Sequence, residues 1–448
     1  MVFKRKIYDM LLEWKNSPVK NSALLIEGAR RIGKSTIVEE FGKREYDDYL
    51  LIDFMYVIDE VKNLFKDLSN LDLFFSRLFL LLGKTLKKGS LIIFDEVQFC
   101  PLARQSIKKL VKDGRYDYIE TGSLLSIRDN TINISIPSEE RRIEMFPMDY
   151  EEFLWAFDDE STANLLRQIY NSKDEIDNST HHRLMNNFRL YLALGGMPKV
   201  ISIFKETNSF IEAEKEKQDI IKLYKDDLLK HDLKYGTSCR LLYNNLVNEL
   251  NNNNSRFRIN KIFNNPKKSS LLYDSLFDLS ESKVCNVCYE STDPSYGLEL
   301  SKRETFFKLY SSDIGLMTSL SYDELKNNID EIYKQIMFDR LNTNLGKLFE
   351  SVVCQGLVSL GINPYYHTYT YLSNGKEKKY EIDFMVQIHG SVVAIEVKSG
   401  TNFTTSSLDQ ISEKYKGIKF KKIVISTKPF KTKDNIVYLP MYMLFCLK

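Results

Sequence analysis

The nine residues Gly28, Ala29, Arg30, Arg31, Ile32, Gly33, Lys34, Ser35 and Thr36 fit the spacing G-x-x-x-x-G-K-[ST]. Glycines so spaced let backbone N–H groups curl around phosphate oxygens, and a following helix adds the positive end of its dipole. Lys34 is placed to reach the β- and γ-phosphates, and Ser35 to offer a hydroxyl to Mg²⁺. The flanks agree with this chemistry. Ala23–Glu27 reads as a short apolar strand, and "STIVEEFGKR" is a helix-forming run. All nine residues are candidates for the cofactor-binding loop.

Such a loop needs a second group of residues to act on the phosphate. "GSLIIFDEVQ" has four apolar residues and then Asp95 and Glu96. An unbroken apolar run reads as a strand buried on both faces of a parallel sheet, with its carboxylates at the edge where ligands sit. Asp95 is the expected Mg²⁺ residue and Glu96 the expected base that polarises the attacking water. A further strand, "YDYIETGSLLSI", ends in polar residues, and Thr121 is the candidate sensor of the γ-phosphate.

A second constellation lies far downstream, in "KKYEIDFMVQIHGSVVAIEVKSG" (Lys378 to Gly400). Two alternating runs flank a His389-Gly390 turn, so the segment reads as a β-hairpin. If those two residues form the loop, Ile388 pairs with Ser391. Asp383 then lies opposite Glu396, and Glu381 opposite Lys398, all on one face. Opposed side chains stand about 5 Å apart at Cβ. Two carboxylates that close repel unless a proton or cation lies between them, and a hard divalent ion such as Mg²⁺ or Mn²⁺ resolves the conflict. Asp383 and Glu396 are therefore candidate metal ligands. Lys398 is placed to hold a water or a developing charge. The competing reading makes Glu381–Lys398 a plain cross-strand ion pair.

Composition bounds the rest. The chain has 448 residues, too many for one ordinary core, so several domains are expected. A net charge of +2 decides nothing about nucleic acid, since a basic face can hide in a neutral total. The longest apolar run, "LFFSRLFLLLG", is half a membrane span and contains Arg77. The opening "MVFKRKIYDMLLEWKNS" lacks a signal-peptide block, so a cytoplasmic location without membrane is expected. Six scattered cysteines do not form a disulfide framework. Cys285 and Cys288 have ligand spacing but no second pair, and read as small apolar residues in a strand.

Strand, cradle, helix, acidic strand and polar strand in this order resemble the AAA-type ATPases. The chain looks closest to the prokaryotic AAA family with a C-terminal DUF4143 domain. "DEVQ", "TGSLLSI", "RRIEMFPMDYEEFL", "LGGMPKVI" and "FFKLYSSDIGLM" carry the resemblance over nearly the whole length. It implies ATP as the nucleotide and self-association, with Arg141 or Arg142 as a finger supplied to a neighbour. The hairpin resembles the restriction-endonuclease-like core, in which an upstream helix brings another acid. Here that acid is Glu350, on the flank of an apolar arc in "NLGKLFESVVCQGLVSLG".

The expected architecture is α/β. An AAA-type P-loop core (1–150) is followed by a helical lid and connector (151–236). A winged-helix-like module (237–300) and a nuclease-like domain (301–448) complete it. In the middle module, "KVCNVCYES" and "YGLELS" read as strands, and Arg256, Arg258, Lys261, Lys267 and Lys268 make it either a DNA contact or a spacer. The segment Lys414 to Lys433 interleaves eight lysines with Tyr415, Phe420 and Phe430, a second candidate nucleic-acid footprint. Two functions remain open. One couples an ATP cycle to DNA binding or metal-dependent DNA cleavage. The other is a nucleotide-controlled interaction protein whose nuclease-like domain only binds.

Overall fold

The computed structural model describes residues 1–19, 21–123, 135–231, 238–246, 269–321, 329–337, 345–373, 376–400 and 403–448. The chain forms two compact units. Met1–Phe146 with Glu281–Lys283 make the first, and Pro147–Ser280 with Val284–Lys448 the second.

The first unit is built on a five-stranded sheet of order β2-β3-β4-β1-β5. Its strands are β1 Ala23–Glu27, β2 Tyr49–Asp53, β3 Leu91–Asp95, β4 Asp117–Gly122 and β5 Glu140–Glu144, all parallel. Every residue of β1 and β3 is buried, as continuous apolar runs require. Phe54, Phe65, Phe74, Phe75, Phe94 and Tyr118 fill one face of the sheet. The long apolar run forms the helix Leu71–Leu82, capped by the Asn70 side chain and ended by Gly83 at φ 64°. Only part of that helix is buried, and Leu80 is exposed. Among the described residues no helix is long and apolar enough to cross a membrane.

The second unit carries an eight-stranded mixed sheet of order β12-β13-β11-β10-β9-β8-β6-β7. Its strands are β6 Cys285–Ser291, β7 Lys302–Ser311, β8 Tyr365–Ser373, β9 Lys376–Ile388, β10 Ser391–Lys398, β11 Lys421–Ser426, β12 Lys431–Lys433 and β13 Ile436–Pro440. Thus "CNVCYES" is a strand, with Cys285 and Cys288 both buried in it. "YGLELS" is not. Gly297 stands at φ 92° and Leu298–Ser301 form a short 3-10 turn, after which β7 begins. Leu298 is buried while Leu300 is 92% exposed, so the alternation there does not mark a buried face. Arg256, Arg258, Lys261, Lys267 and Lys268 lie outside the described residues.

The break at "LGGMP" separates the helices Asn178–Leu194 and Pro198–Thr207. Its glycines have a packing reason. A Cβ on Gly196 would stand 2.0 Å from the Met148 carbonyl oxygen, and one on Gly315 2.2 Å from that of Leu194. Asp313, buried beside them, accepts from the Gly196 and Leu316 N–H groups at 2.6 and 2.9 Å. "LGGMP" and "SSDIGLM" are therefore one close backbone contact.

Candidate functional site

Because the first sheet is wholly parallel, β1, β3 and β4 bring their C-terminal ends to the same edge. Gly28 leaves β1 at φ 156°, and a Cβ there would meet the Met145 carbonyl oxygen at 2.3 Å. Only glycine fits this position. Gly33, at φ 95°, turns the chain into the helix Lys34–Glu45. Arg5 clamps the loop from outside, donating to the carbonyl oxygens of Ile32 (2.8 Å) and Phe146 (2.6 Å). The Lys34 ammonium is folded into the loop, donating to Gly28 O at 3.0 Å and Ala29 O at 2.7 Å. Burial lowers its pKa to about 8 against the opposing pull of Glu96 and Asp95.

Around Asp95 three elements converge. Ser35 Oγ, from the helix, donates to Asp95 Oδ1 at 2.8 Å, and Thr121 Oγ1, from the end of β4, donates to the same oxygen. Glu96 follows β3 in the left-handed region at φ 52°. Its N–H donates to Thr121 Oγ1 at 3.3 Å, and its carboxylate accepts from Gln98 Nε2. A helix hydroxyl, a carboxylate and a strand-end hydroxyl at one point, beside a lysine-bearing loop, fit a nucleotide triphosphate and its Mg²⁺.

Thr121 and Glu120 are successive strand residues and so point to opposite faces. On the far face lies a layer of charge that the motifs do not announce. Arg104, from the helix Pro101–Asp113, grips Glu140 of β5 in a fork of 2.7 and 2.8 Å, both side chains 1% exposed. Glu120 is fully buried, and neither carboxylate oxygen has a hydrogen-bond partner among the described residues. Burial and the Glu140 charge push its pKa well up. Burial likewise raises Glu27 to about 6, opposed by Arg142 and Arg104. An acid whose folded pKa is raised stabilises the fold while protonated, and that stability is lost as pH climbs through the folded value. Stability should therefore fall from pH 5 to pH 8. Glu120→Gln should flatten the slope and melt higher at pH 8, by roughly 2–4 °C per kcal/mol relieved. Thermal unfolding at both pH values checks this; an unchanged slope counts against a neutral Glu120.

In the second unit, β9 and β10 pair antiparallel, with Ile388 opposite Ser391 and Phe384 opposite Ile395. This is the register expected from the turn. Asp383 comes next in β9; its Oδ2 accepts from the Val397 N–H at 2.8 Å, and the charge of Glu396 acts on it. Glu350 arrives from the helix Leu345–Ser359, accepting from Tyr310 OH at 2.8 Å and from Lys347 Nζ at 2.9 Å. Lys398 Nζ sits 2.5 Å from Glu396 Oε2, and Ser407 donates to Glu396 Oε1. Glu381 is paired not with Lys398 but with Lys308 of β7, at 2.7 Å, and Lys308 is also 3.8 Å from Glu350. Burial, then the charges of Glu396 and Glu350, raise Asp383 to about 8. Burial also raises Glu350, but Lys308 and Lys347 more than reverse this. Each carboxylate thus has its own donors. No group of three or more His, Cys, Asp or Glu among the described residues is arranged to hold a metal ion. These residues do not fit a divalent cation.

Residues 20–154 match the family model described as an AAA domain. This part of the chain is an AAA-type ATPase domain. Residues 185–328 and 345–444 match two domains of unknown function, DUF8612 and DUF4143. No curated protein matches the chain significantly. Among solved structures, Cdc6p from Pyrobaculum aerophilum aligns at 12% identity over 74% of this chain and 93% of its own, with a TM-score of 0.24. The ADP complex of S. cerevisiae Hsp104 aligns at 12% identity over 80% and 52%, with a TM-score of 0.27. Protein VC1899 from Vibrio cholerae aligns at 11% identity over 95% and 96%, with a TM-score of 0.18. Superpositions this loose carry no argument.

Several residues around the AAA domain's site escape motif reading, among them Arg5, Gln98, Arg104 and Glu120. The available signal was a charge inside an apolar strand, as in "YIET" and "LLIE". The same signal marks Lys308 in "FFKLYSS". Both finger candidates are exposed on β5; Arg142 donates to Glu140 at 3.0 Å and lies 3.8 Å from Glu27. The aromatics of the lysine-rich segment turn inward. Phe430 is buried against Tyr170, and Tyr415 packs on His367 and Phe420.

Proposed function

We propose that the AAA domain hydrolyses ATP and that this cycle controls a binding module in the nuclease-like C-terminal region. The observation that carries the first half is the convergence of Ser35 and Thr121 on one oxygen of Asp95, with Glu96 next in the chain. Lys34 would swing from the loop carbonyls to the phosphates, and Ser35 and Asp95 would hold Mg²⁺. That ion, when bound, neutralises charge on the phosphates. Glu96 takes a proton from the attacking water, and Thr121 fixes its backbone. Arg141 is the candidate finger for a neighbouring copy.

Lys308 supports binding over cleavage in the second half, since a lysine already compensates the acids that would have to gather a metal. DNA is the partner we favour. Lys414, Lys416, Lys419 and Lys421 are exposed, and phosphate contact needs charge alone. Base stacking by Tyr415, Phe420 or Phe430 is disfavoured by their inward packing. The test measures ATP turnover with and without DNA, and DNA cleavage in Mg²⁺ or Mn²⁺ by the parent and by Asp383→Ala. We expect DNA-stimulated turnover and no cleavage. Cleavage abolished by Asp383→Ala would establish the nuclease reading instead, and absence of any ATP turnover would sink the first half.

A further inference from the structure

We infer that Lys308 is a built-in counter-ion, its ammonium taking the place among Glu350, Glu381 and Asp383 that a divalent cation holds in a hydrolytic acid cluster. This rests on the binding-module reading and says how that module came to work without metal.

Lys308 lies in the middle of β7, between the buried Phe307 and Leu309, and only 5% of it is exposed. A lone ammonium so deeply buried costs several kcal/mol or more, and is tolerated only where opposite charges meet it. Here they do: Glu381 at 2.7 Å, Glu350 at 3.8 Å, and the Tyr366 ring centroid at 5.2 Å. The three carboxylates outweigh the effect of burial and hold its pKa well above the ordinary value, so it remains charged. The acids are dispersed to match. Glu350 also faces Tyr310 and Lys347, Glu396 faces Ser407 and Lys398, and Asp383 takes the Val397 N–H. A Mg²⁺ or Mn²⁺ ion wants about six oxygens in a tight shell. Gathering them would mean breaking those separate contacts and placing a double positive charge beside a buried ammonium that already holds Glu381 and Glu350. Four carboxylates against Lys308, Lys347 and Lys398 leave little charge for another cation to neutralise.

The deletion of this one charge is the test. The full chain, free of nucleotide, is titrated with Mn²⁺ and followed by loss of the free-ion electron paramagnetic resonance signal. In parallel, unfolding temperature is measured with and without Mn²⁺. The parent should show no uptake that Asp383→Asn removes. Lys308→Met should bind one Mn²⁺ at least about tenfold more tightly than the parent, and Mn²⁺ should raise its unfolding temperature. Both effects should vanish in Lys308→Met/Asp383→Asn. If Lys308→Met does not yield folded protein, Lys308→Gln is refolded with and without Mn²⁺. Recovery that needs Mn²⁺, or uptake by the refolded chain, supports the inference, and recovery without uptake overturns it. Uptake by the parent that depends on Asp383 overturns it too. DNA cleavage assayed on the same samples keeps the two ideas apart. Cleavage by the parent defeats the binding-module reading, whereas a folded Lys308→Met without Mn²⁺ affinity defeats only the counter-ion.

Discussion

Glu96→Gln is expected to slow ATP turnover by about 10²–10⁴-fold while leaving nucleotide affinity close to that of the parent. Glutamine keeps the size of the side chain and its hydrogen bond to Gln98, but cannot take a proton from water. The backbone is little disturbed, because the Glu96 N–H still donates to Thr121. The left-handed φ of 52° is as tolerable to glutamine as to glutamate. The loop, Lys34, Ser35 and Asp95 remain in place, so binding should survive. Phosphate release and calorimetric titration with ATP separate the two quantities. A turnover within about threefold of the parent would remove Glu96 from the role of base. Lys34→Ala is the contrasting variant, expected to lose binding itself.

Arg104→Leu is expected to cost the first unit about 3–5 kcal/mol, the range for stripping one partner from a buried ion pair. The guanidinium and the Glu140 carboxylate are both 1% exposed and joined by two hydrogen bonds. Without Arg104, Glu140 keeps, among the described residues, Arg142, which is 44% exposed, and stands near a Glu120 that has no donor among them. Three acids would then share one dry face of the sheet. The loss should grow as pH rises, because Glu27 and Glu120 ionise later than ordinary carboxyls. Arg104→Leu/Glu140→Leu should recover most of the stability, since replacing a whole buried pair by apolar groups is often neutral. Denaturant unfolding at pH 6 and pH 8 measures both. A single-variant loss under about 1 kcal/mol, or a double variant no better than the single, would show that this pair is not the anchor of the layer.

What could be read from the sequence was whatever depends on local spacing. The phosphate loop is set by a fixed interval of glycine, lysine and serine, and Asp95 by the end of an apolar run. The hairpin register followed because a two-residue turn and a period of two leave no freedom. Lys308 was out of reach, since Glu350 and Glu381 come from elements 40 or more residues away and only the folded sheet brings β7 against them. Glu120 was hidden by its neighbour Thr121, whose position promised chemistry. Leu298 and Leu300 misled in the other direction. They alternate like a strand, but Gly297 turns the chain and leaves Leu300 in solvent.

The His389–Gly390 turn has a consequence for how this chain can vary in length. Both residues have positive φ, 47° and 69°, and the ladder runs unbroken from them to Ile395 opposite Phe384. One residue inserted at the tip would shift every later pairing by one, turning Asp383 or Glu396 to the other side of the sheet and forcing the buried side chains of its two faces, such as Met385 and Phe384, to exchange places. The chain could absorb it only as a bulge close to the tip. Two inserted residues preserve the alternation. Length changes in this turn should therefore be tolerated by parity, even steps readily and odd steps at the expense of the carboxylate face.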